Sequence, residues 1–365
     1  RGTTARLDAW FRALAAAAND GAIRPHLLAR VLRFLEAPAD CKVDVGSTCG
    51  FCVDVPLQEQ WVFFIRHAES RWNAAKENAH LTAMYREHDH GISEKGREQA
   101  ESLRKAILRT AVDNSGDWTG RFWNAGMIVT SPLTRAIQTS VISLRDVLAG
   151  GGGELICLRA AREKRELGGV DAVGVATGAD IRQHVQQELA VLYPERVNWE
   201  EGGTPMQGAE TPTPSGRSSD GTPTPRRKLR RTTTSEQRLL KRKSLLEAFD
   251  FINIDVSDVQ SKWWDSVVET PSNFRDRIEE FVDQLRSSGE ENVIVVGHSL
   301  FFRAMFRRLY RDQQDKPLDD LARIANSLGQ KVLPNCGVVG LRIDWRDERG
   351  PAIKEAVPMF GTELL

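Results

Sequence analysis

A handful of side chains in this 365-residue sequence have the types that phosphate chemistry uses, and all of them come after short apolar runs. Arg66 and His67 follow Trp61 to Ile65 with no turn residue between. Arg135 follows Met127 to Thr130 through Ser131-Pro132-Leu133-Thr134, and His298 follows Val293 to Val296 and Gly297. Glu163 comes shortly after a further run, Leu155 to Leu158. Two guanidiniums, two imidazoles and a carboxyl suit a phosphoryl group. The planar arginine fork binds phosphate oxygens in pairs and stays charged. A neutral imidazole can attack phosphorus, and a carboxylic acid can protonate a departing alkoxide. Taken singly, each piece also reads as structural: an Arg-His pair after a strand, or a histidine packed behind one.

The elements that must position these groups are legible from period and punctuation. The apolar runs are strand-length, and in an open α/β sheet ligands bind beyond the carboxyl ends of strands. Helical spacing follows each. Ala100, Leu103 and Ile107 line one face of a helix capped by Ser93, in which Gly96 predicts a close backbone approach. Ile137, Val141 and Leu144 line a second. Residues 181–192 predict a third, and Phe274, Ile278, Phe281 and Leu285 stripe a fourth after Trp263-Trp264, a pair that reads as core or pocket wall. Another helix runs from Leu300 through Met305, and Gly337 to Ile343 predicts a last strand. Residues 74–92 look polar and irregular, and His80, His88 and His90 among them read as loop histidines rather than metal ligands. Strands interleaved with helices predict a three-layer α/β/α sandwich on a mainly parallel central sheet.

Composition bounds the rest. Hydrophobic residues make up 41% and charged residues 27%, with 50 basic against 50 acidic side chains. Whole-molecule attraction to nucleic acid or membrane is therefore not expected, and no apolar run approaches the roughly 18 residues of a membrane span. Five cysteines fit a reducing, cytoplasmic setting better than a disulfide scaffold. Cys49 and Cys52 have redox-motif spacing, with Cys41 as a third thiol, but read as free thiols in a loop. Residues 1–36 predict two helices, so 1–58 is read as a helical N-terminal extension with its linker. A transit-peptide remnant is the alternative. Arg1 stands where Met would be expected, which leaves a targeting signal open. Residues 202–225 are mostly Gly, Thr, Pro and Ser, with almost no large apolar side chain, and a basic run follows. Such a stretch buries too little apolar surface to offset its ordering entropy. The reading is a disordered insertion, 202–245, in a single domain of 59–201 and 246–347, with 348–365 as a C-terminal tail.

In order and context, four segments resemble the histidine phosphatase superfamily, specifically its phosphoglycerate-mutase-like branch. Arg66-His67-Ala68-Glu69-Ser70-Arg71-Trp72-Asn73 resembles the family's R-H-G-E-S-x-W-N opening, with Ala68 in place of glycine. Asp89 with Ile92 to Ala100 resembles D-x-x-L-T-x-x-G-x-x-Q-A. Ser131-Pro132-Leu133-Thr134-Arg135-Ala136-Ile137-Gln138-Thr139 resembles S-P-L-x-R-A-x-Q-T, and Val296-Gly297-His298-Ser299 resembles V-x-H-G. The resemblance implies His67 as the nucleophile that becomes phosphorylated. It implies Arg66, Arg135 and His298 as holders of the phosphoryl oxygens, with Asn73 as an added donor. It implies Glu163 as general acid and then base, with Glu166 as the rival because the spacing to Gly168-Gly169 departs from the family pattern. Glu69 and Arg71 are either substrate contacts or rim residues. No metal and no cofactor are expected.

The function so implied is a metal-independent phosphatase acting on a phosphomonoester. A phosphoglycerate mutase is the alternative, weakened because Glu163 to Gly174 lacks the pattern E-R-x-Y-G-x-L-x-G-x-N-K. A non-catalytic scaffold using the basic insertion is the other. The expected partner is a small phosphorylated substrate or a phosphoprotein. Thr233, Ser244 and the Thr-Pro pairs of the insertion are candidate kinase sites, and its basic run is either solvated or directed at anionic lipid or an acidic partner.

Overall fold

Side chains along the strand Glu59–Arg66 (β1) leave its two faces alternately, and both faces are covered. Trp61, Phe63 and Ile65 enter one apolar cluster, while Val62 and Phe64 enter another. That alternation makes the molecule three layers deep. In the computed structural model, the residues described are 59–113, 117–151, 153–194, 245–310, 324, 327–346 and 352–363. The N-terminal extension, Cys41, Cys49, Cys52, nearly all of the insertion, Thr233 and Ser244 lie outside them.

Seven strands form one sheet in the order β4-β3-β2-β5-β1-β6-β7. They are β1, Met127–Thr130 (β2), Leu155–Cys157 (β3), Ile254–Asp255 (β4), Asn292–Gly297 (β5), Val338–Asp344 (β6) and Ala352–Met359 (β7). The first five in that order are mutually parallel, β6 pairs antiparallel with β1, and β7 pairs antiparallel with β6. The sheet is mainly parallel, as the interleaving predicts. Aromatic edges lock the layers to it: Phe63 meets Phe122 at 5.2 Å on one face, and Phe64 meets Phe302 at 5.2 Å and Phe306 at 5.1 Å on the other. Each such contact adds roughly 0.5–1.5 kcal/mol beyond the area buried.

The structure differs from the sequence reading at three places. The polar stretch after the first motif holds two short helices, Arg71–Glu77 and Leu81–Arg86. The first is set by a capping box between Ser70 and Asn73 rather than by a long apolar period, and Trp72, Ala75 and Met84 form a small cluster beneath it. Residues 352–359, read as part of a tail, form β7, where Ile353, Ala356 and Met359 are buried. Leu245, read as the last residue of the insertion, is a buried core residue. Arg182, on the helix Asp180–Leu192, donates at 2.7 Å to the carbonyls of Phe249 and Ile252. It thereby clasps together the two chain segments that flank residues 195–244.

Candidate active site

Register brings the predicted residues together. Arg66 pairs with Gly297 across β1 and β5, and Thr130 pairs with Val296 across β2 and β5. The carboxyl ends of three adjacent strands therefore stop level, and the residues just beyond them meet. The His67 N–H donates to the Gly297 carbonyl at 2.9 Å, and the Ser131 N–H donates to the Val296 carbonyl at 3.0 Å. The imidazoles of His67 and His298 lie 5.0 Å apart between ring centres. His298 stands at the start of the helix Ser299–Leu309, and Arg135 in the first turn of Thr134–Ser143. Two helix N-termini thus converge on the place, each favouring negative charge there.

His67 is held in one tautomer. Its Nδ1 lies 2.6 Å from the Ala68 carbonyl. A carbonyl only accepts, so Nδ1 carries the hydrogen and Nε2 keeps its lone pair. Arg135 donates from Nε to that Nε2 at 3.4 Å. Burial, with the Arg135 and Arg66 cations beside it, holds the imidazole well below the usual histidine value. It is therefore neutral near pH 7 and nucleophilic. The loop is braced on three sides. The Ala68 N–H donates to Thr139 Oγ1 at 2.9 Å, Thr139 donates onward to the Arg135 carbonyl, and Asn335 Nδ2 donates to the His67 carbonyl at 2.9 Å. His298 is fully buried, and burial and Arg135 also hold it well below the usual value. Its Nε2 lies 2.8 Å from Ser131 Oγ, and its Nδ1 is buried without a partner. A buried imidazole nitrogen left open in this way suits a phosphoryl oxygen.

Arg135 is 1% exposed. Its Nη1 donates to the Asp171 carbonyl at 2.7 Å, and Nη2 lies 3.4 Å from the Asp171 carboxylate. The helix carrying it is fixed by Asp89, whose carboxylate accepts from the Thr134 N–H and hydroxyl at 2.8 Å each. Burial pushes Asp89 up to about 6. Arg66 donates from Nη1 to the Leu333 carbonyl at 2.7 Å, and its buried Nε has no partner.

The two candidate acids differ in surroundings. Burial raises Glu163, against the pull of Arg135. Glu166 is exposed and sits 3.8 Å from Lys164. The loop bearing Glu163 is anchored from behind by Arg277, which donates to Glu269 at 2.7 and 2.6 Å and to the carbonyls of Ala160 and Arg162 at 2.8 Å. Asn73 is engaged in its capping box, where Oδ1 accepts from the Ser70 N–H and hydroxyl. Glu69 is buried and binds Ser93 and Lys95, which makes it structural. Arg71 is paired with Glu188 and Glu87. Gly96 makes the predicted close approach, since a Cβ there would lie 2.1 Å from the Glu69 carbonyl oxygen.

Sequence reasoning gave no role to Asp89, Asp171 or Asn335. Asn335 had one signal available: it occupies the Pro-Asn-Cys-Gly turn before β6, the strand beside β1. Among the described residues, no group of three or more His, Cys, Asp or Glu is arranged to hold a metal ion. Nor is any helix among them long and apolar enough to cross a membrane.

The sequence model of the histidine phosphatase superfamily (branch 1) matches residues 62–147, a stretch that includes Arg66, His67 and Arg135. No curated protein matches the chain. Similar solved structures include a phosphoglycerate mutase from Bacillus anthracis, 15% identical over 82% of this chain and 93% of that one, with a TM-score of 0.38. An alpha-ribazole phosphatase from Shigella flexneri is 14% identical over 81% and 95%, at 0.37. An ecdysone phosphate phosphatase from Bombix mori, solved with tungstate, is 15% identical over 82% and 92%, at 0.36.

Proposed function

We propose that the chain, whose residues 62–147 match the sequence model of the histidine phosphatase superfamily (branch 1), hydrolyses a phosphomonoester through a phosphohistidine on His67. The observation that carries the reading is the fixed tautomer of a buried, neutral His67, whose Nε2 keeps its lone pair and faces Arg135, with the ring close to that of His298. In the first step Nε2 attacks phosphorus and the ester P–O bond breaks. The leaving alkoxide takes the proton of Glu163, while Arg66, Arg135 and His298 hold the three spectator oxygens. In the second step Glu163, now a carboxylate, accepts a proton from water. That water attacks phosphorus, the P–N bond breaks, and inorganic phosphate leaves with His67 neutral again. The donors that meet the phosphoryl charge are the protein's own cations and imidazoles, so no metal enters the step.

The test is release of inorganic phosphate from a panel of phosphomonoesters by wild type and His67→Ala, with acid-quench trapping of labelled protein. Turnover and a histidine-bound label in wild type, both lost in the variant, are expected. Equal rates would leave a binding scaffold. A mutase would use the same intermediate but return the phosphoryl group to substrate. Interconversion of 3-phosphoglycerate, run beside phosphate release, separates the two.

A further inference from the structure

We infer that the organic half of the substrate is apolar and uncharged, and that it seats in a cleft built from residues 165–170 and 266–268. This rests on the phosphatase reading above and names the substrate class for that site. The cleft has a volume of about 490 Å³. One wall is the loop that begins at Glu163, the proton donor, and ends at Asp171, whose carbonyl and carboxylate hold Arg135. The cleft wall is thus the chain that runs directly on from Glu163, and we seat the leaving group that Glu163 protonates against it.

Two observations give the chemistry. The first is apolar exposure. Leu167 is 91% exposed, Val267 72% and Val268 45%, and all three line this cleft. Lone exposed apolar side chains are ordinary, but three from two separate segments on one cleft mark a surface that gains by being covered. The segments are tied, since the Glu269 N–H donates to the Arg165 carbonyl at 3.1 Å and Arg165 Nη1 donates to the Asp265 carbonyl. Val170, further along the same wall, packs against the Trp72, Ala75 and Met84 cluster that follows His67 in the chain.

The second is charge. Arg165 is the cation among the lining residues, and its Nη1 is already given to a carbonyl. Glu166 lines the cleft, and the Asp171 carboxylate stands at the end of the wall. A leaving group with its own carboxylate or second phosphate would have to compete with Glu166 for Lys164 and with the Asp265 carbonyl for Arg165. An alkyl or other apolar group would exchange water for Leu167 and the two valines.

The experiment is kcat/KM for ethyl, hexyl and decyl phosphate, whose alkoxides leave alike, on the full chain. Each methylene the cleft fully buries is worth about fourfold, so hexyl phosphate should exceed ethyl phosphate by at least about tenfold. A terminal carboxylate on the hexyl chain should erase the gain. Leu167→Asp and Val267→Asp alter exposed side chains, and each should pull the hexyl-to-ethyl ratio toward one. Hydrolysis of ethyl phosphate with a ratio near one in wild type, or a ratio that both variants leave intact, overturns this inference alone. No hydrolysis of any ester overturns the phosphatase reading from which it starts.

Discussion

Arg135 Nε points at His67 Nε2 across 3.4 Å, so the cation addresses the nitrogen that carries the lone pair. The contact orients the imidazole and depresses its basicity together. Removing Arg135 should therefore do two things. A charge-assisted hydrogen bond is worth about 1.5–3 kcal/mol, so Arg135→Ala should slow turnover at least about tenfold. The loss of rate at low pH should also move. His67 works neutral, and its activity falls as pH drops through its pKa, which lies well below 6.5 in the intact site. Without the neighbouring cation that pKa rises, and the acid limb should shift to higher pH. Arg135→Lys should restore little, because the contacts to His67 and Asp171 use three edges of one planar fork. A pH–rate profile of each variant checks this, and an unmoved limb would place Arg135 outside the electrostatics of His67.

Glu163 must be protonated to serve the first step, and burial raises its pKa above the ordinary carboxyl value of 4.5. The rate should therefore fall as pH rises through that raised value. Glu163→Gln should remove the limb and cost about 10²–10⁴-fold on alkyl phosphates, with a smaller loss on aryl phosphates whose leaving groups need no proton. Glu166→Gln should keep the limb. A limb lost in the Glu166 variant instead would reverse the assignment.

Asp89 links stability to pH. Its ordinary value is 3.8 and its folded value about 6. The folded state thus holds the proton more tightly. The stability from this group is full below the unfolded value and is lost as pH rises to about 6. Asp89→Asn keeps an acceptor for the Thr134 N–H and should flatten Tm across that window. Asp89→Ala strands a buried donor at the helix start and should cost about 1–3 kcal/mol at any pH. Thermal melts across the window distinguish these outcomes.

The Glu269–Arg277 pair is buried, with both residues 4% exposed. Removing one partner leaves a charge without its counterion, so Glu269→Ala should destabilise the fold by about 3–5 kcal/mol in urea unfolding. Arg277 also holds the carbonyls of Ala160 and Arg162, and its loss should weaken turnover through a displaced Glu163. Arg277→Met, which removes the charge but keeps apolar volume, should recover less activity than stability. Equal recovery of both would separate the pair from the catalytic loop.

These cases mark where sequence alone is informative. The strands β1, β2 and β5 are apolar runs bounded by motif residues, and their ends fix where Arg66, His67, Ser131 and His298 emerge. Gly96 was legible because glycine early in a helix has few other reasons to be there. Asp171, Asn335 and Arg277 act through carbonyls or across tens of residues, and no local period betrays such contacts. β4 is two residues long, and β7 sits at the sheet edge with a proline and two adjacent charged side chains, Lys354 and Glu355, so neither shows a strand's usual alternation. Asn73 shows the opposite limit: a residue within a motif can be occupied by a cap that also suits its type.

The clasp made by Arg182 has a consequence for connectivity. The proposed catalytic set is divided, with Arg66, His67, Arg135 and Glu163 before residues 195–244 and His298 after them, and among the described residues a guanidinium between two carbonyls and a shared sheet join the halves. A chain severed there should still dock as two noncovalent pieces and complement to an intact pocket, much as a nicked enzyme does.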